Sequence, residues 1–345
     1  MPHTVAADPG LIWSKDPESA VDVPPDEVVD PAPEARWSIG AVRTGVYGAV
    51  TPNVVELPDR TYRMYYTQIL PRSGFPAGAN DYDNSTTRIL SAVSLTGAVW
   101  DPEPGVRLAP QEGGAGDFRV VSPEVVPLLD GSGRLRMYFE CCPGSQSEPS
   151  TLRSALSEDG GLEWVVEPGV RLGGEGSFNS PRVVLLDDGR CRLYCGEQKQ
   201  GIISAISDDG GLNFALEPGV RIERGSTYDA LTAFAPEVLR IVGGGYRMYY
   251  AGYSAPQRAY VLSAISDDGL NWRKEPEPVI APGDRWDGAK CSEMCAMVLP
   301  GAGMGFRLFY EACDGTAVDE RGVWRIASAT ALSDRSESSA GRDRD

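Results

Sequence analysis

One phrase recurs along this chain and limits its fold more than any other feature. SALSEDGGLEW begins at Ser154, SAISDDGGLNF at Ser204 and SAISDDGLNW at Ser263, with a weaker copy, SAVSLTGAVW, at Ser91. Self-similarity of this kind is the signature of a repeat architecture. Two further phrases travel with it. The first is an apolar run led by proline: TPNVVEL (51–57), SPEVVPL (122–128), SPRVVLL (180–186), APEVLRI (235–241), and a degenerate fifth copy, CSEMCAMVL (291–299). The second alternates apolar and polar residues: YRMYYT (62–67), LRMYFE (135–140), CRLYCG (191–196), YRMYYA (246–251) and FRLFYE (306–311).

Alternation at period two predicts strands, and Asp-Gly and Gly-Gly pairs between the runs predict hairpins. Helical periodicity is nearly absent. Four antiparallel strands per repeat, arranged radially, make a β-propeller, and five copies of the first two phrases predict five blades. The fifth repeat lacks an outer strand. GLIWSKDPESAV (10–21) supplies one: set against GLNWRKEPEPVI (269–280), its Gly, Leu, Trp, Lys, Pro and Glu coincide without a gap, and Asp16 falls where Glu275 stands. The expected fold is therefore all-β, a single five-bladed domain over 1–345 whose last blade is completed by the N-terminal strand. Blades are expected over about 10–334, with tails at 1–9 and 335–345.

The repeated phrase itself suits a turn. Ser and Asp side chains can bond the turn backbone, Gly allows a positive φ, and the aromatic packs between blades. The arginines and tyrosines of the RMYY phrases are expected to pack between blades too.

Composition removes whole mechanisms. The only histidine is His3, so a Ser-His-Asp triad, a Cys-His pair or a His-ligated metal site is not expected. No metal and no cofactor is expected. The formal charge of −17 argues against nucleic acid as a partner. No run of 18 apolar residues is present, no signal peptide is evident, and seven cysteines occur without a CxxC pair. A cytoplasmic, monomeric protein acting on a small molecule or sugar is the simplest expectation.

A propeller places its site at the axis, where the innermost strands and the loops entering them meet. The proline-led phrase is the innermost strand. After the proline position the residue is polar in every copy, aligned as Asn53, Glu124, Arg182, Glu237 and Glu293. Lone buried charges are costly. The ring either faces ligand or is a paired network around Arg182. Ahead of each strand lies an aromatic (Tyr47, Phe118, Phe178, Tyr228, Trp286), and near these lie Asp229 and Asp287. The catalytic candidates are Glu124, Glu237, Glu293, Asp229 and Asp287. The substrate-binding candidates are Arg182, Arg119, Asn53, Asn179 and the five aromatics.

Five blades, RMYY-type second strands and proline-led inner strands resemble the arabinanase, levansucrase and invertase group of propellers, over roughly residues 10–334. The repeated turn resembles the Asp-box of sialidases, where the box lies remote from the active site. The first resemblance implies a glycoside hydrolase with three carboxylates on the inner strands of the first three blades. The corresponding places here read Thr51 or Asn53, Ser122 and Asn179, none of them acidic. The resemblance therefore implies the fold and the axial location only. The expected function is a glycoside hydrolase-like enzyme with acid–base carboxylates in the axial funnel. The alternatives are a lyase, cyclase or isomerase acting on a small specialised metabolite, or a ligand-binding propeller without catalysis.

Overall fold

The computed structural model describes residues 5–22, 47–71, 85–110, 119–128, 130–142, 148–225, 227–299, 305–315 and 323–331, with backbone alone at 47, 70, 71, 85 and 86. Every regular element among them is a β-strand. The alternating phrases form antiparallel meanders. The first repeat runs Tyr47–Glu56, Tyr62–Pro71, Ser85–Ser94 and Asp101–Pro102. The second runs Arg119–Pro127, Leu135–Cys142, Thr151–Ser157 and Val165–Val166. The third runs Phe178–Leu185, Cys191–Glu197, Gly201–Ser207 and Ala215–Leu216. The fourth runs Thr232–Ile241, Tyr246–Ala255, Arg258–Ser266 and Arg273–Lys274. The fifth has Lys290–Val298, Phe306–Cys313 and Val323–Ala331, and the N-terminal Ser14–Lys15 pairs antiparallel with the last of these.

The cores lie between repeats. Tyr65 and Ile89 of the first repeat pack with Val125, Met137 and Phe139 of the second. Tyr194 and Ile202 of the third meet Met248 and Tyr250 of the fourth. Phe309 and Ile326 of the fifth meet Met64, Tyr66 and Trp100 of the first. An alternating strand has two apolar faces here because each sheet is covered on both sides by its neighbours.

The sheets are less separate than the repeat pattern leads one to expect. Parallel bridges join Ala259 to Lys290 and Val323–Trp324 to Tyr47–Gly48, so repeats four, five and one share a 13-stranded sheet. Gly48 makes the second junction possible: a Cβ there would sit 2.0 Å from the Trp324 carbonyl oxygen. The N-terminal segment, expected as a tail as far as residue 9, pairs Val5–Ala6 in parallel with Arg240–Ile241.

The repeated turn is built as its residues suggest. Ser207 Oγ donates to Asp209 (2.7 Å) and accepts from Gly211 N (3.0 Å), while Asp209 accepts from Leu212 N and Asn213 N at 3.0 Å. Ser157 with Asp159 and Ser266 with Asp268 repeat the pattern. The tyrosine of the preceding repeat then clamps each turn. Tyr65 donates to Gly161 O at 3.0 Å, Tyr138 to Gly211 O at 2.9 Å, Tyr194 to Gly269 O at 2.8 Å and Tyr249 to Gly10 O at 2.7 Å. The RMYY arginines add ion pairs, with Arg136 Nε 2.8 Å from Glu167 and Arg192 Nε 2.8 Å from Glu217.

Candidate functional site

Four of the five inner strands carry the same distortion. Thr51, Ser122, Ser180 and Ala235 adopt positive φ (53°, 54°, 48° and 50°) immediately before a proline. A non-glycine residue in the left-handed region is strained, and the proline normally pushes its predecessor toward an extended conformation. The bulge inserts two residues opposite one gap in the pairing, between Val50 and Asn53 in the first repeat and at the same place in the next three. It splits the centre of the molecule into two layers.

The lower layer is a paired ring. Asn53 Nδ2 donates to Glu124 Oε2 at 2.6 Å, and Val183 N donates to Glu124 Oε1 at 3.0 Å. Arg182 Nε lies 2.9 Å from Glu237 Oε2 and 3.8 Å from Glu124 Oε2. Its Nη2 donates to the Met294 and Pro52 carbonyls. Ala296 N donates to Glu237, Val125 N to Asn53 Oδ1, and Val54 N to Cys295 Sγ. Each ring side chain except Arg182 thus accepts a backbone N–H from the inner strand of the neighbouring repeat. Burial lifts the Glu124 carboxyl to about 7 despite the pull of Arg182, and raises Glu237 in the same way. The sequence reading put Glu293 in this ring; the strand register puts Cys295 there, because Cys295 pairs with Phe309 as Asn53 pairs with Tyr65. The fifth repeat has no proline, and its irregularity, between Ser292 and Met294, is one residue shorter.

The upper layer lines a cavity of about 670 Å³, which shares no lining residue with the small cleft beneath the ring. Glu293 faces this cavity with Thr51, Ser122 and Ser180, its equivalents in other repeats. Glu140, Glu197 and Glu311, all from second strands, join it, as do Arg119, Asn179 and Lys290. Ser122 Oγ donates to Glu293 Oε2 at 3.1 Å. Both oxygens of Glu311 are engaged, by Thr51 N at 2.8 Å and Ser292 Oγ at 2.6 Å. Glu197 accepts from Lys199 N and Gln200 N at 3.0 Å. Burial raises Glu293 to about 7, with Arg182 opposing and Glu140 reinforcing the shift. Burial, then repulsion from Glu293, drives Glu311 well above the usual carboxylate range. Neighbouring carboxyls with perturbed protonation are what acid–base chemistry at neutral pH requires.

The remaining candidates lie elsewhere. Asp229 is held 2.5 Å from Lys274 Nζ, and Asp287 2.6 Å from Lys15 Nζ, with Tyr310 donating to Asp287 at 2.9 Å. Burial works against the Asp287 charge, but Lys15 outweighs it and holds the carboxyl below its ordinary value. Phe178 is buried in the core between repeats two and three. Tyr228 stacks edge-on against Tyr260, and Trp286 donates to the Pro17 carbonyl at 3.1 Å. These three aromatics do not line the cavity; Phe234, Tyr253 and Trp324 do. Phe118 and the Tyr47 side chain lie outside the described residues. The sequence reading brought Glu293, Arg119 and Asn179 to the cavity but missed Glu140, Glu197, Glu311 and Lys290. The signal for two of them was present: Glu140 and Glu311 end the alternating phrases LRMYFE and FRLFYE at the same repeat position. Among the described residues no group of three or more His, Cys, Asp or Glu side chains is arranged to hold a metal ion.

No family model and no curated protein matches the chain in sequence. Solved structures do match in shape. A glycosyl hydrolase from Bacteroides ovatus superposes with a TM-score of 0.68 at 13% identity, covering 93% of each chain. A thermostable family-43 glycoside hydrolase gives 0.62 at 16% identity, covering 88% of this chain and 98% of that one. The endo-arabinase from Bacteroides thetaiotaomicron gives 0.59 at 12%, covering 84% and 95%. At such identities the likeness is one of fold, and by it the chain is an all-β protein with the fold of the propeller-type glycoside hydrolases.

Proposed function

We propose that the chain is a five-bladed propeller whose last blade is completed by Ser14–Lys15, and that it is a glycoside hydrolase-like enzyme working in the upper cavity. The closure is supported by packing of the fifth repeat on the first and by the N-terminal strand's contacts. Asp16 accepts from Ser328 Oγ at 2.6 Å as Glu217 accepts from Ser204 Oγ at 2.6 Å. The turns clamped by tyrosine are read as Asp-boxes. The seven free thiols, six of them buried, support a reducing compartment such as the cytoplasm.

The observation that carries the enzymatic reading is the meeting of Glu293, Glu311 and Glu140 in one cavity above a sealed ring. Glu293 is the proton donor in this reading. It titrates near neutrality, and it faces the cavity beside Ser122. As the glycosidic C–O bond breaks, the Glu293 proton goes to the leaving oxygen, and a carboxylate, assigned to Glu140, activates water or attacks the anomeric carbon. Glu311, with both oxygens engaged, acts through Glu293 as a positioning residue. Glu124, Glu237, Asp229 and Asp287 are read as scaffold, since each is committed to a cation or to backbone N–H groups. Arg119 and Asn179 are assigned to substrate binding.

The apolar part of the cavity wall favours a second reading, a lyase, cyclase or isomerase acting on a small metabolite. A mass-spectrometric turnover screen separates the two. Aryl glycosides, oligosaccharides and extract metabolites would be offered to wild type and Glu293→Gln. A gain of water on a glycoside, lost in the variant, supports hydrolysis. An isomeric or dehydrated product with no hydrolysis overturns it in favour of the second reading.

A further inference from the structure

Two neighbouring apolar patches line the upper cavity. Val50, Ile69 and Trp324 form a small cluster apart from the cores between repeats. Phe234 and Tyr253 form the other, with ring centroids 5.7 Å apart. Lys290 joins them, its Nζ 5.3 Å from the Tyr253 ring centroid and 5.4 Å from that of Trp324. The second observation is polar. Trp324 is 6% exposed, and its indole Nε1–H has no hydrogen-bond partner among the described residues. A buried donor left unpaired costs about 1–3 kcal/mol, which a ligand acceptor would recover. The ring below closes the cavity, because Arg182 fills its centre and bonds to the carbonyls of Pro52, Pro181 and Met294. A polymer threaded through the molecule does not fit such a closed floor, whereas a short ligand does.

We infer that the wall formed by Trp324, Val50, Tyr253 and Phe234 is a subsite for a flat apolar ring, and that the substrate is a small glycoside of an aromatic or alicyclic alcohol. Flat rings gain from apolar burial and from edge or offset stacking on aromatic side chains. The Trp324 N–H would donate to an oxygen at the ring's edge. The carboxylates lie in the same cavity, so the bond between ring oxygen and sugar would fall within their reach. This inference rests on the glycosidase reading for the sugar but not for the ring.

The test is therefore binding rather than turnover. Calorimetric titration would compare 2-naphthol, 2-naphthyl glycosides and the matching methyl glycosides on wild type, Trp324→Leu and Trp324→Phe. Melting temperatures would confirm that each variant is folded. Naphthyl ligands should bind wild type about tenfold tighter than their methyl counterparts. Trp324→Leu should abolish that preference, and Trp324→Phe should keep most of it. Saturable naphthol binding without hydrolysis of any glycoside would leave the subsite standing while the hydrolase reading fell. Equal binding of methyl and naphthyl ligands, no saturable binding of any naphthyl ligand, or a preference intact in Trp324→Leu would overturn the subsite, whatever the enzyme hydrolyses.

Discussion

Lys15, near the N-terminus, holds its ammonium 2.6 Å from the buried carboxylate of Asp287, and Lys274 holds its own 2.5 Å from Asp229 in the preceding repeat. A tyrosine hydroxyl reaches each carboxylate as well, Tyr310 at 2.9 Å and Tyr250 at 3.3 Å. The N-terminal strand thus reproduces, from the far end of the chain, what the fourth repeat does with its own outer strand.

Lys15→Met should accordingly cost far more than a surface change. It leaves Asp287 buried without its cation, a loss of about 3 kcal/mol. Urea unfolding at pH 7 checks this. The Asp287 carboxyl lies below its ordinary 3.8 in the folded state, so its contribution is present above pH 3.8 and fades as pH falls through the folded value. The gap between wild type and variant should narrow on acidification.

Arg182→Met removes the one cation of the lower ring. Glu124 and Glu237 would be left with hydrogen bonds but no counter-charge, a loss of about 3–5 kcal/mol above pH 7. Burial already raises the Glu124 carboxyl to about 7 in the folded protein. Its ionisation therefore opposes folding as pH rises from the ordinary carboxylate range through 7. The variant should be least stable at pH 8 and recover toward pH 5, as denaturant midpoints across that range would show.

Tyr138→Phe deletes the hydroxyl that donates to the Gly211 carbonyl at 2.9 Å and keeps the ring in its core. One buried hydrogen bond is lost, about 1 kcal/mol, and the carbonyl is left unpaired. Thermal unfolding should show a modest fall in Tm with activity intact.

The fold was legible because its signals are local and repeated. Turn residues sit at fixed offsets in SAISDDGGLNF, and the match of GLIWSKDPE to GLNWRKEPE points to the segment whose Ser14–Lys15 pairs with the last strand, Val323–Ala331. The site was only partly legible. Proline marks the ring position in four repeats, and without it Cys295 could not be told from Glu293. Period two gives the face of a strand residue but not its height, so the alternation does not single out Glu140 and Glu311, although both line the cavity. The aromatics ahead of the inner strands misled for a related reason: a ring beside a strand entrance can turn outward, as Trp286 does toward Pro17.

Glu311→Gln tests the coupling between the two cavity carboxyls. Burial and repulsion from Glu293 hold the Glu311 carboxyl protonated where Glu293 titrates, so the amide replaces a neutral group. The rate should fall through lost positioning while the alkaline limb of kcat/KM stays in place. A limb displaced by about one pH unit, worth about 1.4 kcal/mol, would show that Glu311 carries charge in the working enzyme.

The central claim is that the Glu293 proton does the chemistry, and the pH dependence of kcat/KM on the best glycoside of the panel tests it most directly. A proton donor must be protonated, so the wild-type rate should fall as pH rises through about 7, where Glu293 titrates. Glu293→Gln should lower kcat/KM by at least about 100-fold and abolish that limb, while Glu124→Gln should keep it. A Glu293→Gln enzyme with the wild-type rate and the same alkaline limb would contradict the account.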